Sequence, residues 1–75
     1  MYNNTNQQPK LPTLLRWSQL EPKIGLSRSR VHALIAKGEF PRPIKLGARA
    51  SAWVESEVLA WLEDRIKQSR PELNF

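Results

Sequence analysis

The sequence predicts a small α+β domain built from three helices and a two-stranded β-hairpin. Two helical patterns each end at a glycine, and a proline-rich segment precedes residues that alternate between apolar and basic. A longer amphipathic pattern follows near the carboxyl end. The 75 residues suffice for one such domain. We expect residues 14–68 to form it, with a flexible arm at 1–13 and a tail at 69–75.

The first helix is predicted to be capped at Ser18 and to end near Ile24. Leu14, Leu15 and Trp17 lead into it. Ser18 and Glu21 have the spacing of a capping box, in which each side chain accepts a hydrogen bond from the other residue's backbone. Pro22 then falls in the first turn, where a missing N–H costs least. Gly25 supplies the left-handed conformation that ends a helix.

The second helix is predicted over 28–37. Ser27 is its N-cap and Gly38 ends it. Together with the first helix, it forms a helix–turn–helix pair joined at Gly25. Its apolar residues have the i, i+3, i+4 spacing of a buried face and are Val31, Leu34 and Ile35.

A hairpin and a third helix complete the domain. Residues 41–43 exclude a helix because they contain two prolines. Strands are predicted at 44–46 and 50–53, joined by a turn at 47–49. The last helix is predicted from Glu55 or Ser56 to Gln68, with Val58, Leu59, Trp61, Leu62 and Ile66 facing inward.

The formal net charge of +5 lies entirely in residues 28–49. That block contains six Lys and Arg residues against the single acid Glu39, while the rest of the chain is balanced. A positive block between neutral flanks indicates a face that binds a polyanion, because neutralised phosphates release their counterions.

Composition argues against catalysis. His32 is the only His and there is no Cys, so neither the usual acid–base pair nor an activated thiolate is available. We therefore expect no enzyme activity, no cofactor and no metal site. The sequence contains no apolar run long enough to span a membrane and no signal peptide, which favours a cytoplasmic, nucleoid-associated location.

The second helix carries the predicted DNA-binding face. At about 100° per residue, Ser29, Ala33 and Ala36 point directly away from its apolar stripe. Long donors edge this small-residue ridge, Arg30 and Lys37 on one side and Arg28 and His32 on the other. Such a ridge can approach the floor of the major groove while its edges reach bases and phosphates. A solvated helix face is the plain alternative.

Separate roles are expected within this face. Arg28 and Ser29 lie in the first turn, where free backbone N–H groups attract phosphate. Arg30 is the candidate for bidentate reading of guanine, with a surface ion pair as the alternative. His32 either donates to a base or phosphate or packs on the helix flank.

The predicted hairpin adds Lys45 and Arg49. Basic residues there can grip the DNA backbone beside the groove or enter the minor groove. Lys on an exposed strand also discourages edge-to-edge pairing, which is the alternative for Lys45. Arg42 is a weaker candidate for a phosphate contact.

The three Trp residues are predicted to lie in the core. Each stands among apolar neighbours at helix or strand spacing, and Trp side chains are a large share of the area that so small a domain buries. Base stacking in a single-strand binder is the alternative. The residues are Trp17, Trp53 and Trp61.

A long spaced pattern closely resembles the AlpA family of short prophage and genomic-island transcriptional regulators, related to phage excisionases and MerR-type domains. The resemblance covers about residues 14–66. It is carried by Gly25-Leu26-Ser27-Arg28-Ser29, by Leu34-Ile35-x-x-Gly38-x-Phe40-Pro41-x-Pro43-Ile44-Lys45-Leu46-Gly47-x-Arg49, and by Trp53-x-x-x-Glu57-Val58-x-x-Trp61-Leu62.

This resemblance implies a winged helix-turn-helix protein that acts on promoters or attachment sites. The second helix would enter the major groove and the hairpin would be the wing, so Arg28, Ser29, Lys45 and Arg49 inherit contact roles by position. Members often have Thr, Tyr and Arg or Lys where this chain has Arg30, His32 and Ala33. The resemblance therefore gives the fold but not the target sequence.

The combined prediction is a sequence-specific regulator that binds double-stranded DNA of a prophage or mobile element. An excision factor that bends attachment-site DNA is the alternative within the family. Alternatives outside it are an adaptor for integrase or polymerase and a single-strand or RNA binder. Expected partners are duplex DNA, further copies of the chain on repeated sites, and integrase.

Overall fold

A computed structural model describes residues 10–70 of the chain and contains three helices and three strands. It confirms the predicted small α+β, winged-helix-like fold class. The flexible arm and tail expected at the ends lie largely outside the described residues. In chain order the elements are β1 (Leu14–Leu15), α1 (Trp17–Ile24), α2 (Arg28–Ala36), β2 (Ile44–Gly47), β3 (Ala50–Val54) and α3 (Glu55–Ser69).

The sheet has three antiparallel strands in the order β1-β3-β2, one more than the predicted hairpin. The additional strand is β1, whose Leu14 and Leu15 pair with Val54 and Trp53. The predicted two-stranded hairpin did not include this strand, because the leucines were expected to lead into the first helix. Two residues are too few to show the alternation that marks a strand, and their partners lie far along the chain.

Helix α1 begins at Trp17, so the predicted capping box of Ser18 and Glu21 is absent. Arg16 is the N-cap instead, and its backbone N–H donates to Oε1 of Gln19 at 2.9 Å. The earlier start places Trp17 against the core and leaves Leu20 fully buried. Pro22 consequently lies inside the helix rather than in its first turn.

Helix α2 ends close to the predicted position. Lys37 is its C-cap and Gly38 has a φ of +74°. The N–H of Glu39 donates to the carbonyl of Leu34 at 2.8 Å, and that of Gly38 to the carbonyl of Ile35 at 2.9 Å. These two bonds form a Schellman motif, which satisfies carbonyls that the helix itself leaves unpaired.

The hairpin is present, with small differences from the prediction. Gly47 belongs to β2 rather than to the turn, which consists of Ala48 and Arg49. Lys45 pairs with Ser51 and Gly47 pairs with Ala50, so Leu46 is the extra residue of a β-bulge.

Helix α3 follows β3 directly and extends to Ser69, one residue beyond the predicted end. The N–H of Glu55 donates to the carbonyl of Thr13 at 2.8 Å, which ties the helix start to the residue before β1. Val58 is buried, but Leu59 is 53% exposed, so its predicted inward position was wrong. Leu59 lies about 100° around the helix from Val58, beyond the edge of the packed face.

The core lies between the sheet and the helices. Trp53 is buried in it, while Trp17 and Trp61 are partly buried and pack against it, which agrees with the core assignment of the three Trp residues. The buried cluster consists of Leu15, Leu20, Val31, Phe40, Trp53 and Val58.

Two indole N–H groups donate hydrogen bonds to residues 37–43, the connector between α2 and the hairpin. Trp53 Nε1 donates to the carbonyl of Pro41 at 3.0 Å, and Trp61 Nε1 donates to the carbonyl of Glu39 at 2.7 Å. Phe40 between these carbonyls is buried, with its ring 4.7 Å from that of Trp61 in an edge-on arrangement. The connector is therefore fixed to both β3 and α3.

Substitution of Gly38 by Ala is expected to destabilise the domain by about 1–2 kcal/mol, because an L-residue is strained in the left-handed region. A Cβ at this position meets no atom within 4 Å, so the loss is conformational rather than steric. Gly47→Ala is the matched control, since Gly47 has no positive φ and equally open surroundings. It is expected to be neutral or stabilising by about 0.4–1 kcal/mol. Urea unfolding of both variants measures the difference, and equal stabilities would contradict the Schellman assignment.

Substitution of Trp53 by Phe is expected to cost about 1–3 kcal/mol, because it leaves the partly buried carbonyl of Pro41 without its donor. Trp17→Phe is the control, since the indole N–H of Trp17 makes no hydrogen bond within residues 10–70. Thermal unfolding should show the larger loss for Trp53→Phe. Equal losses would mean that ring volume, not the hydrogen bond, accounts for the stability.

Candidate nucleic-acid interface

All eight residues predicted to contact DNA are exposed. Those on the helix lie on α2 or at its C-cap, and those of the hairpin lie on β2 and in the turn. Arg42, the weaker candidate, is also exposed, in the connector. The eight are Arg28, Ser29, Arg30, His32, Ala33, Lys37, Lys45 and Arg49.

An open cleft of about 410 Å³ lies between the start of α1, helix α2 and the hairpin, and we call it the wing cleft. It brings together Arg28 and His32 from α2 with Arg49 from the turn, although Arg49 is far from both in sequence. Trp17, Pro43 and Trp53 form the apolar part of its wall. No acidic residue among those described lines it.

Arg28 is held against an aromatic ring. Its guanidinium carbon lies 5.5 Å from the centroid of the Trp17 ring, within the range of a cation–π interaction. The Trp17 ring in turn lies 6.2 Å from that of Trp53, tilted by 56°. A chain of contacts therefore connects the first residue of α2 to the central strand of the sheet.

Lys45 lies next to the wing cleft by strand register. It pairs with Ser51, and directly opposite residues of an antiparallel pair project to the same face of the sheet. Ser51 lines the cleft, so Lys45 projects on the cleft side of the hairpin. The exposed apolar residues Ile44 and Leu46 flank it on the edge strand.

The opposite edge of α2 faces a second groove of about 480 Å³, which lies against α3. Arg30, Ala33 and Lys37 line it, together with Glu39 and Arg65. The structure thus separates the predicted contact residues between the two edges of one helix. Ser29 lines neither the wing cleft nor this second groove.

The first turn of α2 retains free backbone donors. Ser27 has an extended conformation and its Oγ accepts from the N–H of Arg30 at 3.2 Å, as an N-cap does. The N–H groups of Arg28 and Ser29 have no partner within the helix, because the first N–H groups of any helix lack one.

Sequence reasoning missed Arg16, which lines the same cleft. Arg16 lies outside the positive block and ahead of the helix that was predicted to begin at Ser18. Its place in the cleft depends on the pairing of β1 with β3, which local sequence patterns do not reveal. Ser18 and Ser51 also line the cleft and were not predicted.

Within residues 10–70, no cluster of three or more His, Cys, Asp or Glu side chains is placed to hold a metal ion. No helix there has the length and apolar character needed to cross a membrane.

The helix pair joined at Gly25, followed by the hairpin, defines a small winged-helix-like domain. The chain belongs to the AlpA family, since the family model described as prophage CP4-57 regulatory protein (AlpA) matches residues 13–66. The family is one of prophage regulatory proteins. The resemblance seen in the sequence is thereby confirmed.

A phage protein is among the relatives of this chain. The uncharacterized protein ORF88 of Enterobacteria phage P4 is 48% identical over 52 residues. The match covers 69% of this chain but only 59% of ORF88. Most of the shared segment therefore lies within the region that matches the AlpA family. The chain spans about three fifths of the length of ORF88.

Proposed function

We propose that the chain is a transcriptional regulator of a prophage or mobile element that binds double-stranded DNA sequence-specifically. The observation that carries this proposal is the segregation of charge. The excess of basic residues lies on α2, the connector and the hairpin, and the wing cleft between α2 and the hairpin is lined by cations without an acid. Membership of a prophage regulatory family supports the regulatory role.

In this proposal α2 enters the major groove, which is about 12 Å wide and admits one helix. Ser29 and Ala33 are exposed and small, so the helix can approach the base edges closely. Arg30 is exposed on the edge away from the hairpin and reads guanine through two hydrogen bonds. Lys37 lies on the same edge, near the helix end.

The hairpin, residues 44–53, acts as the wing. Lys45 and Arg49 are exposed on it and contact the DNA backbone beside the groove. Arg28 and His32 face the hairpin from α2 and bind the same stretch of backbone. A small domain offers few base contacts, so several copies on repeated sites would increase specificity.

Selection of random duplex DNA by the purified chain, sequenced at two salt concentrations, tests this function. We expect a defined motif that is still enriched at the higher salt concentration. Salt-sensitive recovery without a motif would contradict sequence-specific binding and leave an architectural or excision role. Absence of DNA binding at both concentrations would favour a protein-interaction adaptor.

Replacement of Arg30 by Ala is expected to cost roughly 1–3 kcal/mol on the selected motif and to relax preference at one base position. Arg49→Ala is the matched comparison on the wing. It is expected to weaken binding to all duplexes equally and to lower the slope of log K against log salt concentration by about one. Binding curves on matched and mismatched duplexes measure both. If Arg49→Ala changed base preference while Arg30→Ala did not, the helix and wing assignments would be reversed.

A further inference from the structure

Arg16 is fixed in place by its backbone while its side chain stays exposed. The preceding Leu15 is buried and paired with Trp53, and the following Trp17 packs against the core. The carbonyl of Arg16 accepts from the N–H groups of Gln19 and Leu20, both at 2.9 Å. Arg16 therefore projects from a rigid junction between β1 and α1, and this junction directs its side chain to the wing cleft.

The wing cleft collects positive charge from three separate parts of the fold. Arg16 comes from the β1–α1 junction, Arg28 from α2 and Arg49 from the hairpin turn, and α2 also contributes the ring N–H of His32. The hydroxyl groups of Ser18 and Ser51 line the same space and can also donate. None of these side chains donates a hydrogen bond within residues 10–70.

We infer that the wing cleft is a binding site for one phosphate of the DNA backbone and that Arg16 is one of its ligands. Like charges that converge without an acid repel one another, and an anion placed between them removes that repulsion. The guanidinium group is also suited to phosphate, because its planar donors form two parallel hydrogen bonds. This inference rests on the proposed function.

The position of the cleft identifies the source of the phosphate. It lies between α2 and the hairpin, so a strand that borders the groove occupied by α2 passes between the helix and the wing. The contact of Arg28 with the Trp17 ring holds one donor in place before DNA arrives. A preorganised donor loses less side-chain freedom on binding, which favours a defined phosphate over diffuse attraction.

Salt-dependent binding of Arg16→Ala to the selected duplex tests this assignment. The slope of log K against log salt concentration is expected to fall by up to about 0.9, the full value for one phosphate contact, with base preference unchanged. Between 50 and 200 mM salt the wild-type chain would then lose up to roughly 3.5-fold more affinity than the variant. Lys23→Ala is the matched control, because Lys23 is an exposed basic residue of α1 that does not line the cleft. It is expected to keep the wild-type slope.

Duplexes with a single neutral methylphosphonate locate the phosphate. One substituted position is expected to weaken the wild-type chain more than it weakens Arg16→Ala, whose remaining cleft residues still contact that phosphate, so that the two losses are not additive. Thermal unfolding of Arg16→Ala should match that of the wild type, since the bonds at Arg16 are made by its backbone.

The outcomes distinguish failure of the phosphate site from failure of the proposed DNA-binding function. A wild-type slope for Arg16→Ala, or an equal loss in Lys23→Ala, overturns the phosphate site while sequence-specific DNA binding stands. If inorganic phosphate raised the melting temperature of the wild type but not of Arg16→Ala, with the DNA slope unchanged, the site would bind a free anion instead. Failure of the wild type to bind any duplex overturns the proposed function and this site together.

Discussion

The hydrogen bonds of two indole groups to one short connector determine how the parts of this domain are arranged. Trp53 and Trp61 donate to carbonyls two residues apart, at Pro41 and Glu39. The connector itself has no regular structure and contains prolines, which have no N–H to offer a neighbouring strand. The Schellman motif at Gly38 and the fixed φ of the prolines restrict its backbone, and the two indole bonds hold it against β3 and α3. The relative position of α2 and the hairpin therefore depends on these Trp side chains together with the local backbone.

The same connector is anchored by packing as well as by hydrogen bonding. Phe40 is buried between the two bonded carbonyls, and its edge contact with Trp61 belongs to the favoured geometries of aromatic pairs. Arg65 covers the Trp61 ring, with its guanidinium carbon 5.0 Å from the ring centroid. Each Trp therefore contributes both an apolar body and a directed donor. This double use explains how so small a core can hold a connector without secondary structure.

Local signals predicted the elements that depend on local interactions. The end of α2 follows from Gly38, because the Schellman motif requires only the last helical turn and the two residues after it. The start of α1 was not predicted, because it depends on a contact with a distant part of the chain. Pairing of Leu15 with Trp53 fixes where the strand ends, and only then does Gln19 become the residue that caps the helix. Strand β1, the start of α1 and the position of Arg16 were therefore all missed by the sequence prediction. All three depend on one contact between distant parts of the chain, the pairing of β1 with β3.

The candidate interface and the core divide α2 between them. Val31 is its one fully buried residue, and the residues proposed to contact DNA are all exposed. Substitution on the outward face therefore removes little packing, so the base preference of such a domain can change at small cost in stability. The wing cleft differs, because Arg28 depends on Trp17 and Trp17 packs against the core. On the proposed function, the contact of Arg28 with the DNA backbone is coupled to the fold, whereas the contacts that read the sequence are not.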